Sequence, residues 1–180
     1  MTDDYAVAAG LRRGGEEFRS VMDSYWAPLM GAAVNILGNR EDAEDACQET
    51  FVQIFRNREA YDPARSFRNW IFAILYRRCI DILRKKRRSR DAAIRLGNEL
   101  PRPARGQGQD SEAAGAAVPA RILALLSARE RAAVALWAGE GFSAAEISAV
   151  LGCSASTARV TLFNARRKLK SFLENNHGSF

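Results

Sequence analysis

Arg159, Val160, Phe163, Asn164 and Arg167 fall within nine residues near the C-terminal end of the chain, and their chemistry is that of reading base edges and phosphates. A guanidinium offers a rigid planar fork of donors that fits guanine or phosphate bidentately. Ala158, Leu162, Ala165 and Leu169 recur at helical spacing on the other side, so one helix presents the polar set and buries the apolar stripe. A second helix must precede it. Ser143 and Glu146 have capping-box spacing, Leu151-Gly152-Cys153 supplies a glycine stop, and Ser154 can open the next helix. Two short helices joined this way form a helix-turn-helix, whose second helix lies in the major groove with early residues on bases and later basic ones near phosphates. An ordinary helical hairpin with a solvated basic face stands as the alternative.

Two further constellations lie upstream. Asp42, Asp45, Gln48 and Glu49 share one polar sector of a helix, opposite Ala43, Cys47, Phe51 and Ile54. This is a carboxylate face for a basic partner, or a solvated surface with acids where the helix dipole favours them. Further on, Asn69, Ala73, Tyr76, Arg77, Ile80 and Arg84 form a second row beside the core side Ile71, Ile74, Leu75 and Ile82, leading into Arg84-Lys85-Lys86-Arg87-Arg88. Aromatic, amide and guanidinium groups in one row suit an opening nucleic acid, with stacking surfaces beside phosphate partners. A membrane surface or a partner helix competes for the same row and ranks lower, because a separate DNA-type motif shares the chain.

Composition excludes other classes. His177 is the only histidine, and neither a catalytic triad nor a glycine-rich phosphate loop can be assembled, so no enzyme, metal or cofactor is expected. Cys47, Cys79 and Cys153 lack a CxxC pair, which fits a reducing cytoplasm and argues against a disulfide framework or a zinc site. No apolar run approaches a signal peptide core or a membrane span. The net charge of +6 is unevenly laid out: residues 1–55 carry −6, 56–90 carry +9 and 91–180 carry +3. Acidic and basic blocks in sequence imply two surfaces facing different partners.

The periodicity predicts an all-α protein of two small helical domains joined by a flexible linker, the C-terminal one containing the helix-turn-helix. After an N-terminal tail, 1–15, helices are expected over Glu16–Leu37, with Pro28 as a kink site, over Arg40–Asn57 capped by Asn39, and from Ser66 into the basic run, making a domain over 16–88. A Gly/Pro/Ala-rich linker follows over 89–118, with room for a short helix around Asp91–Leu96. Ser127 and Glu130 repeat the capping-box spacing and open a helix over Ala128–Ala138. The second domain spans 119–174 and a polar tail 175–180.

DAEDACQETFVQIF (Asp42–Phe55), SFRNWIFAILYRRCIDILRKKRR (Ser66–Arg88) and the helix-turn-helix, in this order and spacing, resemble a bacterial extracytoplasmic-function (ECF) sigma factor of the sigma-70 superfamily. The resemblance covers both domains. It implies a non-catalytic initiation factor whose Asp42, Asp45, Gln48 and Glu49 dock on the clamp helices of the largest catalytic subunit of core RNA polymerase, with the flap of the other large subunit as a further contact. It assigns Tyr61, Asn69, Tyr76, Arg77, Ile80, Asp81 and Arg84 to recognition and melting of the minus-ten promoter element. Ser156, Arg159, Val160, Phe163 and Asn164 fall to the minus-thirty-five element, and Arg166, Arg167 and Lys168 to phosphates. Phe67 and Trp70 match positions that hold the domain together. Two positions depart from the family pattern: Arg77 stands where an asparagine is frequent, and Asn164 where a basic residue is. The resemblance further implies a cytoplasmic protein, nucleoid-associated when active, restrained by an anti-sigma protein that is often membrane-bound, with no membrane insertion of its own.

Overall fold

In the computed structural model, which describes residues 4–96 and 120–176, every described element is helical. The N-terminal half contains α1 (Asp4–Arg13), α2 (Gly15–Leu37), α3 (Arg40–Asn57), a single 3-10 turn (Arg58–Ala60) and α4 (Phe67–Arg95). The C-terminal half contains α5 (Ala120–Leu123), α6 (Ala128–Val134), a π turn (Ala135–Gly139), α7 (Ala144–Leu151) and α8 (Ala155–Asn176). Helices α2, α3 and α4 pack mutually, as do α6, α7 and α8.

The element ends follow from their capping chemistry. Asn39 accepts the Asp42 amide at 2.8 Å and starts α3, while Ser66 accepts the Asn69 amide at 3.3 Å and starts α4. Both expected capping boxes form, Ser127 with Glu130 and Ser143 with Glu146. Gly38 and Gly152 close α2 and α7 at φ +71° and +63°, a left-handed conformation in which a Cβ would meet the following carbonyl. Helix α2 runs through Pro28 without a break.

Four expectations are corrected. The N-terminal tail, of which residues 1–3 lie outside the described residues, is largely α1. Its Leu11 is fully buried and its Val7 packs on the core, held further by Arg12 beside Glu59 at 3.9 Å. The expected linker begins too early: α4 continues to Arg95, supported by an Arg87–Asp91 pair one turn apart, and residues 97–118 of that expectation lie outside the described residues. The Ala128–Ala138 helix becomes α6 and a π turn, which rotates Trp137 outward, 43% exposed. The expected tail over 175–180 also recedes, since α8 includes Asn175 and Asn176; its remaining residues lie outside the described set.

The wide apolar arc of α4 has a structural use. One side packs on α2 and α3; the other packs on α7 of the C-terminal half. Phe72 of α4 meets Phe142 edge-on at 5.1 Å, and Arg68 lies over the Phe142 ring at 4.1 Å. The same Arg68 donates to the Glu140 carbonyl and sits 3.5 Å from its carboxylate. The core is therefore continuous across both halves.

Candidate polymerase and nucleic-acid interface

On α3 the structure divides the four predicted carboxylate-face residues. Asp42 is paired with Lys86 and Glu49 with Arg78, both on α4, so these two acids bind the helices to each other. Asp45 and Gln48 point outward and are exposed. In line with them along the same face stand Val52 and Phe55, 40% and 44% exposed. Trp26 of α2 stacks on Phe51 nearby at 6.1 Å and is also partly exposed. The outward surface is thus acidic at its N-terminal end and apolar at its C-terminal end. Sequence reasoning did not single out Val52, Phe55 and Trp26, because it looked for charged residues on the outward face. Val52 lies seven residues from Asp45, two helical turns along the same face, and that spacing was the available signal.

The minus-ten candidates separate as well. Arg77, Asp81 and Arg84 are exposed, whereas Asn69, Tyr76 and Ile80 are half-buried. Arg84 lies 3.7 Å from Asp81, one turn away. Burial pushes the Tyr76 hydroxyl above its ordinary pKa, with the Arg129 guanidinium of the C-terminal half opposing the rise. Asn69 Oδ1 is buried without a hydrogen-bond partner. Tyr61 departs furthest from expectation. It is 3% exposed, its hydroxyl donates to the Arg65 carbonyl at 2.7 Å, and its ring packs on Phe67 and Trp70 at 5.3 and 5.0 Å. This geometry makes Tyr61 the pin of the loop before α4. Phe67, fully buried, has the structural place expected of it.

The helix-turn-helix is built as its capping chemistry requires. Gly152 turns the chain, Ser154 Oγ accepts the Thr157 amide at 3.2 Å, and Ala158 and Ala165 are fully buried against α6 and α7. The opposite face of α8 presents Ser156, Arg159, Val160, Phe163 and Arg167, all exposed, with Asn164 half-exposed at its edge. Among the described residues neither Arg159 nor Arg167 forms an ion pair. The other two phosphate candidates are engaged within the chain: Arg166 lies over the Trp137 ring at 4.8 Å, and Lys168 donates to Glu130 at 2.8 Å.

Glu130 therefore joins two elements. Burial raises its carboxyl pKa, but hydrogen bonds from Lys168 and Ser127 outweigh that and leave it below the ordinary value. A depressed carboxyl stabilises the fold above its unfolded pKa and loses that contribution as pH falls through the folded pKa. Replacing Glu130 with Gln is expected to cost about 1 kcal/mol at pH 7 and progressively less as the pH falls through the depressed folded pKa, a trend measurable by urea unfolding over a pH series. Cys47 and Cys79, buried in the α3 and α4 packing, have their thiols pushed up to about 12, chiefly by burial, and so are inert packing groups at neutral pH. Among the described residues no cluster of His, Cys, Asp and Glu could hold a metal ion, and no helix is long and apolar enough to cross a membrane.

Comparisons with known proteins align with this layout. Sigma-70 region 2 matches residues 21–89 and sigma-70 region 4 matches residues 120–169. The ECF RNA polymerase sigma factor SigE of Mycolicibacterium smegmatis is 33% identical over 78% of this chain, which spans only 55% of that relative's length. The RNA polymerase sigma factor CnrH of Cupriavidus metallidurans is 30% identical, over 95% of this chain and 94% of the relative. A solved structure of CnrH in complex with the cytosolic domain of CnrY superposes with a TM-score of 0.71 at 25% identity, covering 97% of this chain and 98% of that one. Caps, helix order and the two-part match agree, and the chain belongs to the ECF sigma factors of the sigma-70 family.

Proposed function

We propose that this chain is a promoter-specific, non-catalytic transcription initiation factor of the cytoplasm. It binds core RNA polymerase through the exposed face of α3 and directs it to promoters through α4 and α8. The observation that carries the reading is the outward face of α8, cation-flanked and free of ion pairs among the described residues, on a chain whose α3 offers a separate acidic and apolar face. Family membership supports the same assignment for the clamp helices, the flap and both promoter elements. It supports an anti-sigma partner too, for which the apolar groove between α2 and the C-terminal half, lined by Pro28, Gly31, Leu123, Leu126 and Leu169 with Arg131 in its wall, offers a seat for an amphipathic helix.

The test is run-off transcription with purified core polymerase on genomic fragments, comparing the wild type with Asp45→Ala/Phe55→Ala. Phe55 also meets the Phe18 ring at 5.2 Å and the Arg58 guanidinium at 4.2 Å, so a melt of the variant runs alongside to separate affinity from stability. Loss of an interface hot spot costs about 2 kcal/mol or more, so affinity for core polymerase should fall about 30-fold and protein-dependent starts with it. Duplex binding without polymerase, and no starts in its presence, would instead make the chain an operator-binding regulator.

A further inference from the structure

Val160 and Phe163 are the two most exposed large apolar residues of α8 apart from its distal end, at 58% and 64%. They lie three residues apart on one face, one turn along, so their side chains form a single patch with Cβ atoms about 5–6 Å apart. Arg159 and Arg167 flank the patch, exposed and without ion pairs among the described residues. A polyanion is the partner that such a rim favours, and the one apolar group that duplex DNA displays on a major-groove base edge is the thymine 5-methyl.

We propose that Val160 and Phe163 are a methyl-reading pair, each packing on the thymine 5-methyl group of one of two neighbouring T·A pairs in the minus-thirty-five element. The proposal rests on α8 being the promoter-reading helix and adds what it reads. Successive base pairs rise about 3.4 Å, and the methyl carbons also wind around the groove, so a patch of this length spans two neighbouring pairs. Asn164 at the patch edge and Arg159 at its flank supply the polar contacts that fix register, while the methyl contacts discriminate thymine from cytosine.

The experiment uses the full chain with core polymerase on a promoter found by run-off transcription. Each minus-thirty-five thymine is replaced singly by deoxyuridine, which removes the methyl group and keeps the base pairing, with the same exchange outside the element as a control. Open-complex formation should weaken about fourfold at two neighbouring positions, the size of one buried methyl each. Val160→Ala should lose the response at one of them and Phe163→Ala at the other, with melting unchanged because both side chains are exposed. If scrambling the element weakens binding but no deoxyuridine does, base reading by α8 stands and the methyl-reading pair is overturned. If scrambling has no effect, the reading of α8 itself fails.

Discussion

Phe67→Ala is expected to lower the melting temperature by about 10 °C. Phe67 is fully buried at the first turn of α4, and its ring meets Tyr25, Tyr61 and Trp70 at centroid distances of 5.4, 5.3 and 5.8 Å. Truncating a buried phenylalanine costs about 3–5 kcal/mol, because the cavity it leaves closes only in part. Three aromatic partners lose their ring contacts together. Phe67→Leu keeps most of the volume and should cost much less, under about 1.5 kcal/mol. A melt of Phe67→Ala within 2 °C of the wild type would show that the cluster carries no such weight.

The consequence reaches the promoter. Tyr61 is held by Phe67, and through its hydroxyl it fixes the Arg65 carbonyl; Asp62 closes the turn by accepting the Ala64 and Arg65 amides at 3.0 Å, through its side chain and its carbonyl respectively. That loop leads directly into α4. Promoter opening by Phe67→Ala should therefore fall at temperatures where the variant is still folded, while affinity for core polymerase through α3 is retained. Equal losses in both activities would assign the defect to unfolding alone.

Capping chemistry explains why so much was legible. Asn39, Ser66, Ser127 and Ser143 each accept the amide three residues on, and such local contacts are written in adjacent residues. The bounds of α3 and the helix-turn-helix followed from them. What escaped were features set by distant contacts or hidden by weak local signals. Gly10, Gly14 and Gly15 depress helix propensity around α1, which forms because Leu11 finds a buried place. The last two turns of α4 have no apolar stripe, since an exposed helix supported by charge pairs needs none. Tyr61 is an aromatic residue in a loop, and only the tertiary fold distinguishes a pin from a stacking platform. The second row on α4 reads in sequence as a nucleic-acid face, with a membrane surface or a partner helix ranked lower; in this conformation its Tyr76 lies near Arg129 of the C-terminal half.

That double use of α4 leads to the second large effect. In this arrangement α4 packs on α7, with Arg68 and Phe72 on Phe142 and half-buried Tyr76 near Arg129, so on the proposed reading single-stranded DNA reaches Tyr76 only when the two halves part. Arg68 is the polar fastening between them, through the Glu140 carbonyl and carboxylate and the Phe142 ring. The pair is partly exposed and screened by salt, so the ion pair alone contributes little. Together with the charge-assisted hydrogen bond and the cation–π contact, its removal should cost about 2 kcal/mol. Arg68→Ala is therefore expected to move the closed–open equilibrium about 30-fold toward open, increasing the radius of gyration in small-angle scattering. Binding of a single-stranded minus-ten oligonucleotide to the free chain should tighten in parallel. Arg68→Lys keeps a cation but loses the planar fork that reaches carbonyl, carboxylate and ring together, and should fall between the two. If Arg68→Ala scatters as the wild type does and binds the oligonucleotide no better, the apolar packing of α2 and α4 on the C-terminal half, with Phe72 on Phe142, holds the halves together without it.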